Sequence, residues 1–282
     1  DKYVRKFSPV ETKEFVNYFA DSVLKTSICE FYGVIQGITL DYKIKPEEEA
    51  FIKQWKIDNS KFETKDELAP IFQTLNKVLE DNVVTINEAN ELKYVIREYY
   101  ETIMGSPITN SLQELRGILK GIILDNTIST EEGENLMKWL YNNIHLSEYY
   151  PYNHISSLFE AVLEDGIITE EESDSLIQII NSILSPVESL QEQISCVQNK
   201  HVCLSGNFSH GQKCDVEKII IEKGGIIDSG LKKSTDILII GDYESQAYAH
   251  GNYGTKVRKA MEYNNKGANI CISKEADFFA QA

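Results

Sequence analysis

Lys232-Lys233-Ser234-Thr235-Asp236-Ile237-Leu238-Ile239-Ile240-Gly241 is the stretch on which the fold of the C-terminal third turns. A polar lead runs into four consecutive aliphatic residues and stops at a glycine. An unbroken apolar run of that length suits a parallel strand covered on both faces, not a strand with one wet side. Shorter runs flank it: Val202-Cys203-Leu204 upstream and Ile270-Cys271-Ile272 downstream, with helical stretches between them. Strands alternating with helices read as an α/β fold. The helix expected over Asp215 to Lys223 stops at Gly224-Gly225, since glycine takes the left-handed conformation without steric cost.

Upstream of Leu184 the pattern changes. Apolar residues recur at three- and four-residue spacing, as in Leu112, Leu115, Ile118, Leu119, Ile122 and Ile123, which predicts amphipathic helices. This half also repeats itself. Gly33-Val34-Ile35-Gln36-Gly37-Ile38-Thr39-Leu40-Asp41 returns as Gly117-Ile118-Leu119-Lys120-Gly121-Ile122-Ile123-Leu124-Asp125, 84 residues later. Trp55 and Trp139, and Asp81 and Asp165, keep the same offset. The sequence therefore predicts four helical hairpins arranged as a doubled pair, each needing a neighbour to bury its apolar face. Ser129 with Glu132, Thr169 with Glu172 and Thr85 with Glu88 form capping boxes. In the first unit Lys45 takes the cap position and Pro46 the first turn, where proline is tolerated. Asp41, Asp81, Asp125 and Asp165 are expected to end the preceding helices and accept loop amides. The two predicted domains are an acidic all-α unit over residues 1–190 and an α/β unit over residues 196–282, with Val187 to Ser195 as a short link.

Charge separates these units. The chain carries 28 Lys+Arg against 44 Asp+Glu, net -16. From Cys196 onward the count is 11 against 10, so the net negative charge lies upstream, with 17 Lys+Arg against 34 Asp+Glu. The helical half repels nucleic-acid backbones, and phosphate binding belongs to the C-terminal unit. No apolar run is long enough for a membrane span. Five scattered cysteines without a Cys-x-x-Cys pair read as reduced thiols and a cytoplasmic setting, and no His/Cys cluster has metal-ligand spacing. Asp165-Gly166-x-Ile168 with Glu172 imitates half of a calcium loop, but the first ligand positions would be Ala161 and Leu163, which cannot coordinate the ion. Glu47-Glu48-Glu49 and Glu170-Glu171-Glu172 are first-turn charges matched to helix dipoles, not a catalytic set. None of the five histidines has a nucleophile partner. No metal, cofactor or catalytic residue is predicted.

The C-terminal segment resembles the BRCT family, in particular the tail of bacterial NAD-dependent DNA ligases. Lys200-His201-Val202-Cys203-Leu204-Ser205-Gly206 is similar to the first strand and its Ser/Thr-Gly turn. The Gly224-Gly225 pair, the Lys232-Lys233-Ser234-Thr235-Asp236 lead, the helix start Gly254-Thr255-Lys256-Val257-Arg258-Lys259-Ala260 and the closing Ile270-Cys271-Ile272-Ser273-Lys274-Glu275 with Phe278 follow in family order. The resemblance implies a four-stranded parallel sheet with three helices. It also implies a phosphate site in which the Ser205 hydroxyl, the Gly206 amide and the Lys256 ammonium surround phosphate oxygens, helped by a helix N-terminus. Thr255 or Gly254 would add a contact, and Lys213, Arg258 and Lys259 a basic rim. No Lys-x-Asp-Gly nucleotidyl motif occurs, so the ligase likeness ends at its tail. The hairpins upstream are faintly similar to TerB-like helical domains.

The function expected is a non-catalytic adaptor of DNA replication or repair. Its BRCT domain would bind a DNA end, a phosphoprotein or another protein partner, and its helical domain a protein. The alternatives are a structural protein that self-associates into a homodimer through the BRCT domain, and an enzyme with a cryptic site among the helices.

Overall fold

A computed structural model describes residues 9–102, 107–185, 197–241 and 255–280. The link over residues 187–195, Gly254 and His250 lie outside the described residues.

The helical half comprises α1 (Pro9–Ile38), α2 (Pro46–Asp58), α3 (Ala69–Val78), α4 (Ile86–Thr102), α5 (Pro107–Ile122), α6 (Thr130–Asn142), α7 (Tyr152–Val162) and α8 (Glu170–Leu184). The second four repeat the first at the offset of 84, down to the short 3-10 turns Ser60–Phe62 and Ile144–Leu146. The loop chemistry explains why. Asp41, Asp81, Asp125 and Asp165 each accept a hydrogen bond from the backbone N–H two residues on, at 2.9–3.0 Å. The residue after each aspartate, or two after Leu40 in chain terms, turns left-handed at Tyr42, Asn82, Asn126 and Gly166. Glu132 and Glu172 then close their capping boxes, and Glu88 bonds back to Thr85 in the same way. At Lys45 only half the box survives: its N–H donates to Glu48 at 2.7 Å, and its side chain caps nothing.

The repeats meet along α1 and α5. Gly33 and Gly37 face Gly117 and Gly121 so closely that a Cβ on Gly33 would stand 2.1 Å from the Glu114 carbonyl oxygen, and one on Gly117 2.2 Å from that of Glu30. No side chain fits there, which is why both repeats keep small residues at this spacing. Each repeat has its own apolar core. The first is built on Ile28, Phe31, Ile35, Ile52, Phe72 and Leu92. The second is built on Leu115, Leu119, Leu136, Ile155, Phe159 and Ile180.

The C-terminal unit contains β1 (His201–Ser205), β2 (Ile226–Asp228), β3 (Ile237–Ile240) and β4 (Cys271–Lys274), with α9 (Lys213–Glu222), α10 (Thr255–Asn265) and α11 (Glu275–Ala280). All strands are parallel, in the order β2-β1-β3-β4. The two-residue period of a strand divides its side chains between two faces. Val202, Leu204, Ile237 and Ile239 pack with Val216, Ile220 and Phe278 of α9 and α11. Cys203, Leu238, Ile240 and Ile272 pack with Val257, Ala260 and Met261 of α10, in a cluster that continues into the second helical repeat. All four residues of β3 are buried, as its apolar run demands. The Thr235-Asp236 lead has a structural task. Thr235 and Lys232 both donate to the buried Asp228 carboxylate at 2.9 Å, tying the end of β2 to the entry of β3.

Candidate functional site

In a parallel sheet the helices that follow strands begin at the strands' carboxyl ends, and ligands gather where the strand order reverses. Here the chain passes from β1 to β2 on one side, then crosses back to β3 on the other. The crevice therefore opens between the ends of β1 and β3. Ser205 pairs in register with Ile240, and Ile240 with Lys274, so these three residues line one edge. Beyond that edge the chain turns sharply: Gly206 has φ 85. Gly241 lies so close to the loop that a Cβ there would meet the Asn207 carbonyl oxygen at 2.2 Å.

Lys256 sits in the first turn of α10, on the face shared by Cys203 and Ser205. Its ammonium donates to the Leu204 carbonyl at 2.6 Å, one peptide unit from the Ser205-Gly206 turn. The structure thus brings Ser205, Gly206 and Lys256 to one place. Ser205 is 8% exposed, so only the rim of the turn is open to a ligand. Lys256 also acts on the buried Cys203 sulfur. Burial pushes that thiol up, while Lys256 and Lys213 pull it the other way. An ammonium has three protons. The bond to Leu204 uses one of them, so the ammonium keeps donor capacity for an anion.

The rest of the expected rim is uneven. Thr255 is exposed at the start of α10, and Arg258 and Lys259 follow on the same helix. Lys213 opens α9, and its charge reaches the Cys203 sulfur from there. The first turn of α9 already holds Asp215, which accepts from the Gln212 N–H at 3.3 Å and from Lys218 at 3.4 Å. The first turn of α10 holds no acidic residue. Of the two helix N-termini at this edge, α10 is the better host for an anion.

Two features escape a reading of the sequence. Lys274 ends β4 in line with Ser205, two strands away, and only register reveals it. Glu275 is fully buried and accepts from the N–H groups of Ser209 and His210 at 2.9 and 2.8 Å and contacts the His210 ring at 2.7 Å. That ring stacks on Phe279 at 3.9 Å. The loop after the β1 turn is therefore held by α11. In sequence Glu275 looks like any first-turn acid. His210 braces this loop against α11. His154 is half-buried beside Tyr150, and burial lowers its basicity. Among the described residues no group of acids, histidines and cysteines is placed to hold a metal ion, and no helix is long and apolar enough to cross a membrane.

Residues 192–266 match the family model for the BRCA1 C Terminus (BRCT) domain, about a quarter of the chain. The parallel sheet and its helices agree with that match, so the C-terminal unit is a BRCT domain joined to a helical region. No match to the chain was found among curated proteins or among solved structures.

Proposed function

We propose that the protein is a non-catalytic adaptor whose BRCT domain binds a phosphate-bearing ligand at the β1–β3 crevice, and that it serves DNA replication or repair. BRCT domains in general mediate protein or DNA interactions, and that general role is what favours the DNA association. One observation carries the reading: the Lys256 ammonium is fixed one peptide unit from the Ser205-Gly206 turn. A pre-positioned cation beside a bare backbone amide and the N-terminus of α10 is what a phosphate group requires. The ligand is a DNA 5′-phosphate or a phosphorylated protein segment. The acidic helical region repels the former and leaves the BRCT domain as its contact.

The test is a titration of 5′-phosphorylated nicked DNA and of phosphopeptides against wild type and Lys256→Ala, with circular dichroism to confirm that the variant is folded. Loss of a charge-assisted hydrogen bond should weaken binding roughly 10- to 100-fold. Equal binding by both proteins, or by neither, sinks the proposal. A second reading rests on Ile221 and Ile226, which are 58% and 45% exposed next to the edge strand β2. An apolar edge of this kind favours self-association, and light scattering over a concentration series would show a dimer.

A further inference from the structure

The two repeats superpose in plan but not in the surroundings of one glutamate, and the difference leaves a cleft. In the second repeat Glu114 is fully served. Its Oε1 accepts from Gln36 at 2.6 Å and from the Trp139 indole N–H at 3.1 Å, and its Oε2 accepts from the Tyr100 hydroxyl at 3.0 Å. Two of those three donors are aromatic rings.

Its counterpart 84 residues earlier is Glu30, which has one partner, the Lys120 ammonium at 2.8 Å on Oε1. The aromatic donors are missing for identifiable reasons. Trp55 occupies the place of Trp139 but stacks on Phe31, with ring centroids 3.8 Å apart and 4° between planes. Where Phe31 stands the second repeat has Leu115, which offers no ring to stack on. The counterpart of Tyr100 is Leu184, which has no polar hydrogen. Among the described residues, Oε2 of Glu30 accepts no hydrogen bond and the Trp55 N–H donates none. Both residues line a cleft of about 200 Å³ walled by Phe31, Phe51 and Phe62, with Lys120 at its side. Clefts for drug-sized ligands run to about 300–1,000 Å³, so this one has room for a single ring system.

We propose that this cleft in the first repeat binds one aromatic ring carrying an N–H or O–H donor, a phenol or an indole. The donor bonds Glu30, and the ring packs against Phe51, Trp55 and Phe62. The second repeat supplies the template, because there the same carboxylate takes an indole and a phenol from the protein itself. Glu30 and Asp58 are balanced by Lys61 and Lys120 in the lining, so the site favours an uncharged donor over a cation or an anion. The ring comes either as a free molecule or as a tyrosine or tryptophan side chain of a partner protein. The cleft is separate from the crevice of the BRCT domain, and neither proposal depends on the other.

Indole, p-cresol, toluene and N-acetyl-tyrosinamide, titrated against the full chain by tryptophan fluorescence and ligand-detected NMR, test this. Indole and p-cresol should bind saturably and at least about tenfold more tightly than toluene, as a charge-assisted hydrogen bond requires. Glu30→Met should abolish that preference while keeping the apolar walls. Phe31→Leu, which installs the residue of the second repeat, frees Trp55 to turn onto Glu30 and should abolish binding. If Phe31→Leu does not fold, Glu30→Met decides. Binding of N-acetyl-tyrosinamide assigns the ring to a protein side chain, and binding of p-cresol without it assigns the ring to a free molecule. Equal affinity for toluene, an unchanged preference in Glu30→Met, or no saturable binding of any probe at millimolar concentration overturns the proposal.

Discussion

Residues 41–48 and residues 125–132 fold into the same turn and helix start, yet the two turns are held differently. The second is closed by Ser129, whose hydroxyl accepts the Glu132 N–H at 3.2 Å. The first has Lys45 at that position, and its ammonium crosses to the other repeat, where it meets Asp125, with Asp41 at 3.4 Å and Glu132 at 4.0 Å. One cation thus serves acids from both turns. The aspartate bonds, the left-handed residue and the apolar core are enough to fix the backbone in both copies. The cap side chain is then free to diverge, and one copy has used it to bind the repeats together.

The comparison breaks most completely at the glycine crossing. Gly33→Ala or Gly117→Ala sets a Cβ against backbone within 2.2 Å or less, so α1 and α5 must separate. A loss of at least about 4 kcal/mol is expected in denaturant unfolding, with the double variant costing far less than the sum. Next comes Lys45→Ala, which leaves Asp125 and Glu132 buried without their cation and should cost about 3 kcal/mol. Lys45→Ser should cost about 1 kcal/mol less than Lys45→Ala, because it restores the cap that the second repeat has.

A smaller effect follows from pH. Burial pushes the Glu48 carboxyl up to about 7, against the opposing pull of Lys45. A carboxyl raised above its unfolded value, about 4.3, stabilises the fold fully below that value and loses its contribution as pH rises through 7. The wild type should be about 2 kcal/mol more stable at pH 5 than at pH 8 from this group, and Glu48→Gln should flatten that slope. An unaltered slope in the variant removes Glu48 from the account. The smallest effect is expected at Gly166, with φ 80 and open space around it. Gly166→Ala should cost about 1 kcal/mol through backbone strain alone, a shift of a few degrees in melting temperature.

The sequence made the repeats, their capping boxes and all four aspartate turns legible, because each depends on neighbours within eight residues. The BRCT sheet was legible for a related reason: a strand covered on both faces must be apolar throughout, and Ile237 to Ile240 are. Contacts between distant positions were not. The glycines at 33, 37, 117 and 121 were visible as a repeated pattern, but nothing local says that they face one another. Lys45 was readable as a cap position and not as a cross-link. At the candidate phosphate site, strand parity and register put Ser205 and Lys256 on one face.

The grip of Glu275 on the amides of Ser209 and His210 sets a practical limit on dissecting the chain. The family match ends at residue 266, ahead of β4 and α11. A fragment trimmed to that boundary would lose an edge strand, the Phe278 that covers one face and the carboxylate that shapes the segment beyond Gly206. It would carry the recognisable signature without the scaffold that orients it, and a negative binding result from such a piece would say nothing about the intact protein.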